Sequence, residues 1–168
     1  MIRTEQLLLR RARPEDLPGM HAVLSDPVAM RYWATPPHTD IEQTREWVQA
    51  MVDADPAVCD DFIVELDGEV IGKAGCWRLP EIGFILRSDH WRRGFAFEAL
   101  SAVIAHVFAN HAIEAITADV DPRNDGSLGV LRKLGFTETH RAPRTWLVGG
   151  EWCDSVYLRL ARFAADRF

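Results

Sequence analysis

EIGFILRSDHWRRGFAFEAL, residues Glu81–Leu100, joins a predicted strand to a predicted helix through a short basic loop. The run from Ile82 to Leu86 is typical of a mostly buried strand, and an apolar helical pattern begins just after Gly94. The loop between them holds three arginines, Arg87, Arg92 and Arg93. Because the formal net charge of the chain is -6, this positive charge is local, and it favours a polyanionic ligand.

Gly94 and the small residues after it predict a phosphate site. Gly94 lacks a side chain, so the backbone can approach a ligand closely, and Ala96 and Ala99 keep the first helical turns small. The first N–H groups of a helix have no partner within the helix, and the positive end of the helix dipole also attracts anions. A strand, a basic loop, Gly-x-Ala and a helix therefore predict a pyrophosphate cradle, although Gly-x-Ala alone is not specific.

Two segments resemble a known family. WRRGFAFEAL resembles the acyl-coenzyme A loop of the GNAT N-acetyltransferases, in the form found in the ribosomal-protein alanine acetyltransferase (RimJ/RimL-like) branch. NDGSLGVLRKLGF, from Asn124 to Phe136, resembles the NxxS…KxGF segment of the same branch. The two motifs occur in the right order at the right separation, and weaker resemblance extends from Thr4 to Tyr157.

Composition predicts one soluble domain over residues 1–168, with 48% hydrophobic and 26% charged residues. Apolar runs are too short to span a bilayer and the N-terminus lacks a signal-peptide pattern, so we expect a cytoplasmic protein without a membrane partner. Cys59, Cys76 and Cys153 are odd in number and lack metal-site spacing, and His106 and His111 lie off a common helical face. We therefore expect neither disulfides nor a metal, and the acidic balance argues against nucleic-acid binding.

Periodicity and turn residues predict an α+β chain. The elements expected, in order, are a strand at Leu7–Ala12, a helix from Pro14 to Ser25, a helix capped by Thr39 and Glu42, a hairpin of Phe62–Leu66 and Val70–Trp77 around Asp67-Gly68, the strand at Ile82, a helix from Gly94 to Asn110, a strand at Ala115–Val120, a helix at Asn124–Leu134, a strand from Phe136 and a last strand at Ser155–Leu160. The tail after Ala161 is expected to be mobile.

The resemblance implies the GNAT fold and its ligand. That fold is a strongly twisted, mixed, mostly antiparallel sheet of about seven strands flanked by helices. In it the strand at Ile82 splays from the strand at Ala118, which leaves strand backbone free to bind the pantetheine arm of acetyl-CoA. The implied arm contacts are the backbone of Ile85, Leu86 and Arg87. The implied pyrophosphate contacts are Arg92, Arg93, Gly94, Phe95, Ala96 and Phe97. The alternative for the arginines is a solvated surface cluster, and Phe97 replaces a Thr common in related loops.

The second motif implies further coenzyme contacts. In the family, the residue matching Asn124 bonds the amide region of the coenzyme, and the residue matching Ser127 lies near the thioester sulfur and can protonate the departing thiolate. Both residues also open a helix, where Asn and Ser are preferred caps regardless of function. Lys133 is either structural or reaches the nucleotide end. Leu131 stands where many family members have a catalytic Tyr.

The predicted reaction moves an acetyl group from acetyl-CoA to a primary amine, either a protein N-terminal α-amine or a small molecule, by direct attack in a ternary complex. Glu81, at the start of the coenzyme strand, is the candidate general base, or else only an edge-strand charge. The candidate contacts to the acceptor amine are Tyr32, Trp33 and Asp119. Asp121 is a further candidate for orienting the amine. The family also allows a homodimer.

Two alternatives remain at this point. One is a non-catalytic acyl-CoA sensor, because the usual Tyr is missing. The other is a dinucleotide-binding protein, because Gly94, Ala96 and Ala99 mimic a degraded GxGxxG pattern. A charged loop separates the strand from the glycine and a second βαβ half is missing, which disfavours the dinucleotide fold.

Overall fold

Eight strands and four α-helices make up the described chain, residues 1–162 of a computed structural model. In chain order they are β1 (Ile2–Arg3), β2 (Leu7–Arg10), α1 (Leu17–Leu24), α2 (Ile41–Val52), β3 (Asp60–Leu66), β4 (Glu69–Arg78), β5 (Glu81–Leu86), α3 (Phe95–Asn110), β6 (Ala115–Val120), α4 (Asp125–Lys133), β7 (Thr137–Val148) and β8 (Glu151–Ala161). The strands form one sheet in the order β1-β2-β3-β4-β5-β6-β8-β7. Apart from the β5–β6 pair, every pairing is antiparallel.

The α+β prediction and the order of its elements are confirmed, with eight strands rather than about seven. The additional strand, β1, is only two residues long and is too short to give a periodic pattern. The last strand begins at Glu151, four residues before the predicted Ser155. From residue 163 onward the predicted mobile tail lies outside the described residues, and a single domain over residues 1–168 stays a prediction.

Turn and cap chemistry explains where two elements begin and end. Asp67 and Gly68 have φ values of 51° and 86°, the left-handed pair that a two-residue hairpin turn requires. The capping box of α2 is one residue later than predicted. Asp40 accepts a hydrogen bond from the Glu42 N–H, and the Gln43 side chain accepts from the Asp40 N–H. The Thr39 and Glu42 prediction is therefore wrong.

The splay predicted between β5 and β6 is present. The two strands pair in parallel at one position, Glu81 opposite Thr117, whereas β6 pairs with β8 along its whole length. The Thr117 N–H donates to the Pro80 carbonyl at 3.0 Å, just before this pair. Beyond it the strands separate, so the sheet opens between Glu81 and the end of β5.

The sheet carries a hydrophobic cluster on each face. One cluster contains the buried residues of α3 and α4, and the other contains those of α1 and α2 together with Ile63 and Ile85. On β6, Ala118 and Val120 are buried in the first cluster, so the intervening Asp119 faces the other side. Strand alternation therefore places this carboxylate on the face that carries α1 and α2.

His106 and His111 converge on one carboxylate, contrary to the separation predicted from helical spacing. Both Nε2 atoms lie 3.0 Å from Asp60 Oδ2, and Arg11 bonds Asp60 Oδ1 at 2.6 Å. The two side chains are not separated as helical spacing predicts, because His111 lies beyond the last residue of α3 and leaves the helical geometry. Among residues 1–162, no helix combines the length and the apolar character needed to cross a bilayer.

Glu98 fastens the β1–β2 connection to the first turn of α3. Its carboxylate accepts from the Thr4 hydroxyl at 2.5 Å and from the Gln6 N–H and side-chain amide at 2.8 Å each. Burial alone would raise the pKa of Glu98, but these hydrogen bonds outweigh it and hold the pKa below its usual value.

We expect Glu98→Gln to lower the free energy of unfolding at pH 7 by about 1 kcal/mol, because charge-assisted bonds become neutral ones. A depressed folded-state pKa stabilises the protein above the unfolded-state pKa, and this contribution is lost as the pH falls through the folded value. Urea unfolding should therefore show the difference at pH 7 and its progressive loss as the pH falls below the ordinary glutamate pKa of about 4.3. A difference that grows in acid would contradict this account.

Gly72 shows how closely β4 and β5 approach. A Cβ atom at Gly72 would lie 2.1 Å from the Ile85 carbonyl oxygen and 2.9 Å from Leu86 Cα, which are backbone atoms that cannot rotate away. We expect Gly72→Ala to cost about 3 kcal/mol in urea unfolding. Gly83→Ala is the control because its Cβ would meet nothing nearer than Lys73 Nζ at 3.7 Å, and it should change stability by less than about 1 kcal/mol.

Candidate active site

The basic loop and the start of α3 form one end of a groove of about 830 Å³. Gly94 has φ 86° and Arg92 has φ 59°, so the chain passes twice through the left-handed region before the helix begins. The Glu98 N–H bonds back to the Gly94 carbonyl, and the amides of Phe95, Ala96 and Phe97 precede that first helical bond. Because α3 is 16 residues long, the positive end of its dipole reinforces these donors.

Most of the residues predicted to contact the coenzyme line this groove. They are Ile85, Leu86, Arg92, Gly94, Phe95, Ala96, Phe97, Asn124, Ser127 and Lys133. Phe84 to Leu86 supply a largely apolar wall, and Arg92 and Lys133 supply cations. The groove therefore suits an elongated ligand with anionic groups at the α3 end and a less polar arm along β5.

Two of the predicted arginines are not among the groove-lining residues of the described chain. The Arg87 guanidinium bonds Glu69 and Asp89 at 2.7 Å each, and the backbone N–H of Arg87 donates to the Ile71 carbonyl. The bond from Arg87 lowers the pKa of Asp89 to about 2. Arg93 lies over the ring of Phe95, with 4.8 Å between the guanidinium carbon and the ring centroid. Of the three loop arginines, only Arg92 lines the groove.

The start of α4 forms the side of the groove opposite β5. Asn124 Oδ1 accepts a hydrogen bond from the Ser127 N–H at 3.1 Å, so Asn124 acts as the helix cap. Ser127 is half-buried and lines the groove, which leaves its hydroxyl near any ligand held there. Leu131 is fully buried in the core, so the position that carries Tyr in many relatives takes no part in this site.

A second cavity, of about 500 Å³, lies on the α1/α2 face of the sheet at the mouth of the splay. Glu81 and Asp119 line it from the two splayed strands. Each carboxylate accepts one indole N–H: Trp77 Nε1 to Glu81 at 3.1 Å and Trp146 Nε1 to Asp119 at 2.9 Å. We call this space the acceptor cavity.

The groove and the acceptor cavity share lining residues. Tyr32, Trp33 and Arg123 line both spaces, and β5 contributes Glu81 to Gly83 to the cavity and Phe84 to Leu86 to the groove. Trp33 also packs against the second hydrophobic cluster. A ligand in the groove and one in the cavity would therefore meet along β5.

Arg123 is held at this junction by carboxylates. It bonds Asp121 at 2.7 Å and Glu151 at 2.8 Å, and its guanidinium carbon lies 5.6 Å from the Tyr32 ring centroid. Burial alone would raise the pKa of Asp121, but the bonds from Arg123 outweigh it and lower that pKa. Asp121 is therefore engaged in an ion pair that positions Arg123, which makes it a poor candidate for orienting an amine.

Most of the residues that line the acceptor cavity were not predicted from the sequence, and Asp61, Lys73, Trp77 and Trp146 are among them. Lys73 and Asp61 form a buried ion pair at 2.8 Å beside Gly75 and Gly83, which face each other across β4 and β5. A lysine between apolar residues in a predicted strand was a usable signal for this pair. No local sequence pattern indicated Trp146 as a site residue, because its contact with Asp119 depends on the register of β7 against β8.

Comparison with known proteins places the chain in a family. The model of the acetyltransferase (GNAT) domain matches residues 6–137. An uncharacterized N-acetyltransferase, p20, of Bacillus licheniformis is 34% identical over 142 residues, which cover 79% of this chain and 80% of that protein.

Solved structures agree with this assignment. A GNAT-family acetyltransferase from Bacillus anthracis superposes with a TM-score of 0.82 at 26% identity, covering 95% of this chain and 97% of the other. RimL, a ribosomal L7/L12 α-N-protein acetyltransferase in complex with coenzyme A, has the same fold, with a TM-score of 0.81 at 20% identity and coverage of 96% and 97%. The chain therefore belongs to the GNAT family of N-acetyltransferases.

Proposed function

We propose that this N-acetyltransferase binds acetyl-CoA in the groove and acetylates a primary amine held in the acceptor cavity, by direct attack in a ternary complex. The observation that carries the proposal is the junction: Tyr32, Trp33 and Arg123 line both spaces, and β5 runs along both. The RimL complex with coenzyme A supports the choice of coenzyme.

The groove residues match the parts of the coenzyme. The free amides of Phe95 to Phe97, with Arg92 and the α3 dipole, suit a diphosphate. Beside Phe84 to Leu86, the apolar wall suits the pantetheine arm. Acetyl-CoA, when bound, supplies an acyl thioester, whose thiolate is already a good leaving group. The protein has mainly to orient the amine and manage two protons.

Glu81 and Ser127 have complementary places for those protons. The amine nitrogen bonds the acetyl carbonyl carbon as the carbon–sulfur bond breaks. Glu81, in the acceptor cavity, takes a proton from the attacking nitrogen, and the Ser127 hydroxyl, in the groove, donates one to the departing sulfur; solvent then removes the proton from Glu81 and returns one to the Ser127 oxygen. Neutralising a lysine-type amine at pH 7 costs about 4 to 5 kcal/mol, against about 1 for an α-amine, so a base matters most for the former.

Two measurements test the proposal. Isothermal titration calorimetry should show acetyl-CoA binding, and thiol release should show its consumption in the presence of primary amines. Absence of binding by well-folded protein would overturn the proposal. Binding without release across amines and peptides would favour the alternative, a sensor, which the buried Leu131 keeps open.

Ser127→Ala should lower kcat by about 10- to 100-fold, because the departing sulfur loses its proton donor. Stability should be unchanged, since the Asn124 cap bonds the backbone N–H of residue 127 and not its hydroxyl. Ser101→Ala on α3 is a matched control, because the Ser101 hydroxyl bonds only the Phe97 carbonyl within its own helix. Undiminished turnover in Ser127→Ala would remove Ser127 from the mechanism.

Self-association stays a prediction of the family resemblance. Light scattering of the full chain, which gives the molar mass in solution, would decide between a monomer and a homodimer.

A further inference from the structure

We infer that the acceptor cavity selects an amine carrying a second positive charge, such as an aliphatic diamine, with Asp119 holding the remote ammonium while Glu81 faces the reacting nitrogen. The inference rests on the proposed function and names the class of its acceptor. Three features of the cavity support it: the charges, the aromatic walls and the separation of the two carboxylates.

Carboxylates outnumber basic groups around the cavity. Among the described residues, six carboxylates and three basic side chains line it. They are Asp61, Glu81, Asp119, Asp121, Glu151 and Asp154, against Arg31, Lys73 and Arg123. Lys73 is neutralised by Asp61, and Arg123 by Asp121 and Glu151. This balance favours a cationic ligand and disfavours one that brings a carboxylate.

Of the three lining carboxylates left without a basic partner within residues 1–162, Asp154 accepts the Arg144 backbone N–H, and Glu81 and Asp119 lie on the two splayed strands. Glu81 and Asp119 each accept a hydrogen bond from one indole N–H. A carboxylate has about four acceptor positions, so most of the capacity of each remains open. The indoles hold the two carboxylates in place without neutralising them, which leaves both charges available to ammonium groups.

The walls also favour cations. Tyr32, Trp33, Trp47, Trp77 and Trp146 line the cavity. Tyrosine and tryptophan faces attract ammonium groups, and the attraction is stronger when those groups are desolvated. Cations already occupy such places here: Lys73 Nζ lies 5.6 Å from the Trp33 ring centroid, and Arg31 lies 5.3 Å from that of Tyr32.

The separation of the carboxylates fits a short diamine. Glu81 faces Thr117, and Asp119 lies two residues further along β6. Ordinary strand spacing then puts the two Cα atoms roughly 8–10 Å apart. The nitrogens of 1,4-diaminobutane are about 6 Å apart when extended. Each ammonium can therefore reach a different carboxylate.

Three amines with a four-carbon chain test the inference: 1,4-diaminobutane, 1-aminobutane and 4-aminobutanoate, which end in a cation, a methyl group and an anion. The measurement is kcat/KM from thiol release, corrected for the neutral fraction of the reacting amine and for the two equivalent amines of the diamine. We expect 1,4-diaminobutane to exceed 1-aminobutane by about 10-fold, and 4-aminobutanoate to be the poorest. A corrected ratio near one between the first two would overturn the inference.

The Asp119→Asn variant tests whether Asp119 causes the preference for 1,4-diaminobutane over 1-aminobutane. Asparagine keeps an oxygen for the Trp146 N–H but loses the charge, so the ratio should fall from about 10-fold to about 2-fold or less. Glu46→Gln removes an exposed carboxylate of α2 that lines neither space and should leave the ratio unchanged. An unchanged ratio in Asp119→Asn would contradict the role of Asp119.

A binding measurement separates this inference from the proposed function. Calorimetry with 1,4-diaminobutane needs no turnover, and Asp119→Asn should weaken its affinity by about 10-fold. Diamine binding without thiol release would overturn the proposed reaction and leave the cation site standing. Thiol release with 1-aminobutane but no preference for the diamine would overturn the cation site and leave the reaction standing.

Discussion

Ala96→Glu should weaken acetyl-CoA binding by about 100-fold without destabilising the protein. Ala96 lines the groove in the first turn of α3, where free backbone amides suit a diphosphate. A carboxylate there repels the phosphates and occupies the space that the small side chain leaves open, at a cost of a few kcal/mol. The same carboxylate interacts favourably with the helix dipole, by about 0.3–1 kcal/mol, so the folded state should not suffer.

The control for this prediction is Ala105→Glu. Ala105 lies on the exposed face of the same helix, and the substitution adds the same charge and volume away from the groove. Calorimetry should give a wild-type Kd for Ala105→Glu and a raised one for Ala96→Glu, with thermal unfolding checked for both. Comparable Kd values for the two variants would show that the start of α3 does not bind the phosphates.

Glu81→Gln should lower kcat by about 100-fold at pH 7 for an acceptor with a lysine-type amine, because the attacking nitrogen loses its proton acceptor. Glutamine retains an oxygen that can accept the Trp77 indole N–H, so the side chain should keep its orientation. For an α-amine acceptor the loss should be smaller, since a larger fraction of that amine is already neutral at pH 7.

The pH dependence of kcat distinguishes a base from a merely structural carboxylate. If Glu81 is the base, the acid limb of the wild-type profile should be absent or displaced in Glu81→Gln. Raising the pH should partly rescue the variant, because hydroxide and neutral amine both become more abundant. A pH–rate profile identical to that of the wild type would exclude Glu81 as the base.

The sequence alone was sufficient for the elements whose determinants are local. The Asp67-Gly68 turn, the start of α3 after Gly94 and the Asn124 cap all depend on a few adjacent residues. The groove-lining residues Arg92 and Gly94 to Phe97 were predictable for the same reason, since they lie close together along the chain. Arg87 was predicted to line the groove and does not, because one partner of its side chain, Glu69, lies 18 residues away in the sequence.

The acceptor cavity was decided by tertiary structure. Its two carboxylates come from β5 and β6, and the indole that holds Asp119 lies 27 residues further along the chain. Whether those groups meet depends on the β7–β8 register and on a sheet that opens after a single pair, and neither is encoded in any short segment. Local hydrogen-bonding patterns thus determined the end of the groove at the start of α3, whereas long-range strand pairing determined the shape and charge of the acceptor cavity.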